Sequence, residues 1–213
     1  MKLQLPPLMA IVDADVAARA GWTMPDLASA YLSGGATLLQ VRAKKAPSGW
    51  LLDIASTIVT LAHRANAIVI VNDRADIGRL SGADGVHVGQ EDLSPASVRR
   101  LVGAEAIVGL STHTSEQVDA ARREPVSYIA IGPVFGTDTK ATGYNSLGVE
   151  PVRRAAHRAR EREMPLVAIG GVTLETAADL IRAGATTVAV ISDLVAAGDP
   201  AVRVRAYLAR LTV

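Results

Sequence analysis

The sequence predicts an α/β chain that closes into a (β/α)8 TIM barrel, on three observations. Eight short apolar runs alternate strictly with eight segments of helical length, and no long polar linker interrupts them. Several of the runs are β-branched and nearly unbroken, as parallel strands covered on both faces are. A Gly-Ala pair also recurs at one phase of the alternation, as Gly35-Ala36, Gly82-Ala83 and Gly184-Ala185, each closing a helical pattern just before an apolar run.

The expected strands are 8–12, 37–41, 67–71, 85–88, 106–110, 127–131, 166–169 and 187–191. The expected helices are 23–33, 47–65, 74–80, 95–101, 115–123, 149–162, 173–183 and 200–211. Cap residues fix the phase: Thr23 precedes Met24-Pro25, Ser94 precedes Pro95, Thr173 precedes Glu175 and Thr176, and Asp199 precedes Pro200. An open doubly wound sheet is the competing architecture. It would show a short or polar edge strand and, for a dinucleotide, a glycine-rich turn after strand 1, where this chain has DADVAARAG.

With 213 residues and 49% hydrophobic content, the chain can bury roughly 70% of its extended surface in one core, so a single domain over 1–213 is expected. The absence of cysteine excludes disulfides, thiolate nucleophiles and thiolate-held zinc. No signal-like leader and no apolar run of membrane-spanning length stand out, so the expected compartment is the cytoplasm, with no membrane partner. Twenty-two basic against twenty-one acidic residues leave a formal charge of +1, which argues against nucleic acid as a partner. The densest basic run, RRAAHRARER from Arg153, reads as the solvated face of a helix.

In such a barrel the site is built at the carboxyl ends of the strands. Read there, the chain offers Asp13 and Asp15, then Gln40, Arg42, Lys44 and Lys45, then Asn72 and Asp73, then Gln90, Glu91 and Asp92, then Ser111, Thr112 and His113. The long 131–148 stretch, Gly170-Gly171 and Ser192-Asp193 complete the set. Asp73 and Asp92 end consecutive strands and can offer oxygen ligands to Mg2+, which keeps several waters and needs only one or two protein carboxylates beside substrate phosphates. The alternative is that each acid caps the helix that follows it, with no metal. Arg42, Lys44 and Lys140 favour the first reading, because cations at the same rim would neutralise a polyanion that also bridges to the metal. Gly170-Gly171 and the VISD segment expose backbone amides at strand ends 7 and 8, which suits a phosphate. His87, in the middle of GVHV, reads as a barrel-interior residue, and His113 as a rim residue or a cap of the next helix. No Ser-His-Asp arrangement emerges, and Ser111 reads as a hydrogen-bond donor to phosphate.

The ordered motifs LLQVRAKK (38–45), VNDR (71–74), GVHVGQEDL (85–93), GLSTHT (109–114), GPVFGTDTK (132–140), AIGGV (168–172) and VISDL (191–195) resemble those of the thiamine-phosphate synthase family along nearly the whole chain. The resemblance implies transfer of the pyrimidinylmethyl group of 4-amino-2-methyl-5-pyrimidinylmethyl diphosphate to 4-methyl-5-(2-phosphoethyl)thiazole, or its carboxylated form, giving thiamine phosphate and diphosphate. It implies that Gln40, Arg42, Lys44 and Asn72 face the pyrimidine diphosphate and that Arg42 and Lys140 hold its diphosphate. It implies that Asp73 and Asp92 hold Mg2+ and that Ser111 contacts diphosphate or pyrimidine. Thr137 and Thr139, with the backbone around Gly171, Ile191 and Ser192, match the thiazole phosphate site, and the catalytic set is Arg42, Lys140 and Ser111. Gly136 and Phe135 depart from the proline and tyrosine common in the family. The family also implies a homodimer, although no hydrophobic stripe marks an interface. The competing functions are a thiazole tautomerase of the same barrel, a Schiff-base aldolase using Lys44 or Lys140, and a non-catalytic thiazole-phosphate-binding protein.

Overall fold

Eight parallel strands close on themselves in chain order in the computed structural model, which describes residues 3–136, 145–196 and 198–212. They are β1 (Leu8–Asp13), β2 (Leu38–Arg42), β3 (Ile68–Asn72), β4 (Gly85–Val88), β5 (Ile107–Thr112), β6 (Tyr128–Ile131), β7 (Leu166–Ile169) and β8 (Thr187–Val190). Each pairs with the next, and β1 closes on β8 through Leu8–Val188, Met9–Ala189 and Ala10–Val190. The open doubly wound sheet is thereby excluded.

The helices are α1 (Ala14–Arg19), α2 (Met24–Ser33), α3 (Ser48–Arg64), α4 (Ala75–Ser81), α5 (Pro95–Val102), α6 (Ser115–Ala121), α7 (Val149–Arg160), α8 (Leu174–Arg182) and α9 (Pro200–Leu211). Eight of them match the sequence expectation with small changes at the ends, where helices fray. The ninth, α1, was not expected. The DADVAAR segment becomes helical because the Asp13 carboxylate accepts a hydrogen bond from the Val16 N–H at 3.0 Å, so a residue read as free at the rim serves as a cap. A 3-10 turn over Ser192–Leu194 was likewise not foreseen.

The caps read from sequence hold. Thr23, Ser94 and Asp199 accept from backbone N–H groups at the starts of α2, α5 and α9, and Thr173 and Thr176 form a reciprocal capping box at α8. The basic run lies on α7, which buries Val152, Ala155, Ala156 and Ala159 and turns Arg153, Arg154 and His157 to solvent.

Period two along the strands sorts their side chains into two cores. On β2, Leu39 and Val41 point outward into the layer beneath the helices, while Leu38 and Gln40 point into the barrel. Leu5, Met9, Leu38, Ile70, Tyr128 and Val167 fill the barrel from its amino-terminal end, so the interior is plugged below and open only at the carboxyl ends of the strands. Full burial of each such aliphatic chain contributes roughly 1.5–3 kcal/mol. β5 runs two residues further than expected, to Thr112, which places Ser111 on the strand itself and facing inward.

Candidate active site

A cavity opens at the carboxyl end of the barrel, with Gln40, Arg42, Asn72 and Ser111 on one side and Gly171 and Ser192 on the other. Gln40 is almost fully buried and donates a weak hydrogen bond to the Met9 sulfur at 3.6 Å. Arg42 and Asp13 are register partners at the ends of β2 and β1, and the Arg42 guanidinium binds the Asp13 carboxylate. Their side chains are only 11% and 3% exposed, so the pair is locked and holds Arg42 against the cavity wall. The sequence reading named both residues but did not pair them.

The two acids at the ends of consecutive units come together. Asp73 follows β3 with a left-handed backbone (φ 62°), a conformation aspartate tolerates better than most residues, and its N–H donates to the His87 carbonyl on β4 at 2.7 Å. Burial pushes its carboxyl above the ordinary range; the nearby Lys44 ammonium opposes this, and the adjacent Asp92 carboxylate adds to it. Lys44 Nζ stands 3.1 Å from the Asp73 carboxylate, so of the two neighbouring exposed lysines Lys44 is the one paired with Asp73. Asp92 accepts from the Gly89 N–H at 2.7 Å.

Neither acid caps a helix. The residue at the start of α4 is Arg74, with no side-chain cap, and α5 is capped by Ser94. Two neighbouring carboxylates, one of which raises the proton affinity of Asp73, form an oxygen donor pair suited to a hard divalent cation. Among the described residues no group of three acids, histidines or cysteines converges on one point, so substrate oxygens and water would complete such a shell.

Along β4, β5 and β6 the barrel interior is polar. His87 Nε2 lies 2.8 Å from Ser111 Oγ, and His87 Nδ1 lies 2.9 Å from the Tyr128 hydroxyl, with the two rings stacked at 5.5 Å. Gly109 makes the room: a Cβ there would lie 2.1 Å from Tyr128 Cζ and 2.5 Å from His87 Nδ1. His87 therefore sits in the barrel interior, as its place in GVHV implies, and also lines the cavity; the alternation of GVHV carries that signal, while nothing in the sequence singles out Tyr128. His113 turns instead to the Gly132 carbonyl, and α6 is capped by Thr114, one residue beyond the histidine. The chain Ser111–His87–Tyr128 contains no carboxylate, so it is not a nucleophile triad.

The far wall is mostly backbone. Gly170 and Gly171 both have positive φ, and a Cβ on Gly171 would lie 2.5 Å from the Gly136 carbonyl and 2.8 Å from Phe135 Cβ. The described base of the long loop is tied down here, because the Phe135 N–H donates to the Gly170 carbonyl at 2.9 Å and the Leu147 N–H to the Pro133 carbonyl at 2.9 Å. Behind Ser192, Asp193 accepts from Nε and Nη2 of Arg203 (2.8–3.2 Å), from the Tyr207 hydroxyl, and from the Leu174 N–H at the start of α8 (3.2 Å). Burial, with Asp193 beside it, pushes the Tyr207 phenol up, so it stays a donor. Ile191 and Ser192 line the cavity in front of this network, which the sequence reading did not find. Thr137, Thr139 and Lys140, all expected at the site, lie outside the described residues.

A family model described as thiamine monophosphate synthase matches residues 8–194. The chain belongs to this family. Within the thiamine monophosphate synthase family it is 41% identical over 156 residues to a thiamine-phosphate synthase of Chlorobium luteolum, covering 73% of this chain and 72% of that one. It is 41% identical over 181 residues to one of Koribacter versatilis, covering 84% of each. Among solved structures, a thiamine phosphate pyrophosphorylase from Pyrococcus furiosus superposes with a TM-score of 0.86 at 27% identity, covering 96% of this chain and 95% of that one. A KDPGal structure superposes with a TM-score of 0.72 at 20% identity over 99% and 97% of the two chains, a likeness of fold alone. The thiamine monophosphate synthase family assignment makes the chain an enzyme of the transferase class in thiamine biosynthesis. No helix among the described residues is long and apolar enough to cross a membrane.

Proposed function

We propose that this chain, as one catalytic domain over 1–213, joins 4-amino-2-methyl-5-pyrimidinylmethyl diphosphate to 4-methyl-5-(2-phosphoethyl)thiazole and releases thiamine phosphate and diphosphate. The observation that carries the reading is the meeting of Asp92 with Asp73, the chain neighbour of Asn72, which lines the same cavity as Arg42. Asp73 and Asp92 would hold Mg2+, which when bound would offset charge on the departing diphosphate.

Arg42 spends one edge of its guanidinium on Asp13 and keeps its remaining N–H donors for diphosphate oxygens, held where departing charge accumulates. Lys44, Asn72 and, from outside the described residues, Lys140 add donors to the same anion. Gln40 and Ser111 orient the pyrimidine diphosphate, whose methylene carbon becomes cation-like as the C–O bond to diphosphate breaks; the thiazole nitrogen then donates its lone pair to that carbon. Gly171, Ile191 and Ser192, with Thr137 and Thr139, hold the phosphate of the thiazole, largely through backbone amides that add no mobile charge near the reacting carbon. No protein nucleophile is required, which suits a chain without cysteine and a serine whose histidine partner leans on a tyrosine. The enzyme is expected in the cytoplasm as a homodimer, with small molecules as its substrates and neither nucleic acid nor membrane as a partner.

The test supplies both purified substrates with and without Mg2+ and follows diphosphate and thiamine phosphate together. Equimolar, Mg2+-dependent appearance of the two is expected. Binding of the thiazole phosphate with no diphosphate release would instead fit a binding protein or a tautomerase and reject the proposal.

A further inference from the structure

We infer that Tyr128 is a positioning residue that fixes the tautomer of His87, so that Ser111 presents its hydroxyl hydrogen to the cavity as a donor. The inference rests on the proposed function for what Ser111 meets there, an acceptor atom of the pyrimidine diphosphate, but the relay itself stands on the hydrogen-bond geometry.

The direction of each hydrogen bond follows from the far end of the chain. Tyr128 is completely buried, and among the described residues its hydroxyl has one partner, His87 Nδ1 at 2.9 Å. Burial pushes the phenol well above its ordinary range, so the O–H hydrogen stays in place and needs an acceptor. Nδ1 must therefore carry a lone pair, and the imidazole hydrogen sits on Nε2. Nε2 is 2.8 Å from Ser111 Oγ, so the ring donates and the serine oxygen accepts.

The Ser111 hydroxyl hydrogen is thereby turned away from His87, and Ser111 faces the cavity. The reverse order, with Ser111 donating to Nε2 and Nδ1–H pointing at Tyr128, would leave a buried phenol hydrogen with no acceptor among the described residues. Packing supports the chosen order. Gly109 leaves space for the tyrosine hydroxyl against the imidazole, and the rings stack at 5.5 Å with an interplanar angle of 22°, which holds His87 in one orientation. A phenylalanine at 128 would keep that stack and remove only the O–H.

The experiment is nitrogen-15 NMR of the imidazole rings in uniformly labelled full-length protein, with the His87 signals assigned by their absence in H87Q, combined with steady-state kinetics of Y128F. The wild-type spectrum is expected to show His87 with Nε2 protonated and Nδ1 bare. Y128F is expected to mix the two tautomers and lower kcat by about 10- to 100-fold, as loss of a supporting hydrogen bond typically does, while KM for the thiazole phosphate stays within about twofold. A wild-type His87 protonated on Nδ1 would overturn the inference, as would a Y128F enzyme with unchanged kcat. The wild-type spectrum needs no variant and no turnover, so it decides the relay even if Y128F does not fold. Absence of synthase activity in the wild type would fall on the proposed function and leave the tautomer reading standing.

Discussion

The two walls of the cavity are made of different material. On the β1–β4 side, Arg42 lines the cavity and belongs to a set of charged side chains at the strand ends, Asp13, Arg42, Lys44, Asp73 and Asp92, each paired with or leaning on another. The β7–β8 wall is built from main chain, with Gly170 and Gly171 in backbone conformations that bring peptide groups close and Asp193 bracing the segment from behind. Charge on the first side is carried by ion-paired side chains and suits a leaving group that gathers charge. Amides on the second are fixed and suit a phosphate that stays attached throughout.

If that division is right, substitutions should damage one function and spare the other. The largest effect is expected for Asp92→Asn: about 30- to 1000-fold loss of Mg2+-dependent turnover, the range for losing one electrostatic contact to developing charge, with calorimetric binding of the thiazole phosphate nearly unchanged. Full activity of this variant across a magnesium titration would remove the metal assignment.

Asp13→Ala strikes the same wall through its foundation. It leaves Arg42 as a largely buried cation without its partner and uncaps α1, so a loss of about 3–5 kcal/mol in denaturant unfolding is expected. On the opposite wall, Gly171→Ala must move either the Gly136 carbonyl or its own left-handed backbone. We expect KM for the thiazole phosphate to rise about tenfold while the pyrimidine diphosphate KM holds, since lost uniform binding appears in KM.

Asp73→Asn should separate stability from activity. Because the folded-state carboxyl takes up its proton at higher pH than the unfolded one, the native protein binds more protons between those two points, and its stability falls as pH rises through them. In metal-free protein, D73N should therefore melt at a higher temperature than wild type at neutral pH, with the gain vanishing below the unfolded carboxyl's titration near 3.8, while Mg2+-dependent turnover is lost. The smallest contrast is between neighbouring lysines: Lys44→Ala, which strips Asp73 of its cation, should lower activity measurably, whereas Lys45→Ala, exposed and away from the acids, should change it by less than about twofold.

The barrel was legible because its information is local. Apolar runs, caps at Thr23, Ser94, Thr173 and Asp199, and the Gly-Ala pairs each act within a few residues, and eight such units close in one way. The rim was legible for a related reason: a strand end is a position along the chain, so Asp73 and Asp92 could be placed at the mouth before their approach was known. Helix α1 escaped notice because the six-residue ADVAAR pattern is too short to carry a period, and only the Asp13 cap reveals it.

By itself, then, the order of residues determined the alternation, the inward and outward faces of each strand, and which polar groups stand at the barrel mouth. Tertiary structure alone decided who pairs with whom: Arg42 with Asp13 across β1 and β2, Lys44 with Asp73, His87 with both Ser111 and Tyr128, and Asp193 with Arg203 and Tyr207. Secondary structure follows from interactions a few residues long, which a linear string displays. Pairing depends on strand register and on vacancies such as the one Gly109 leaves, and these exist only once the sheet has closed.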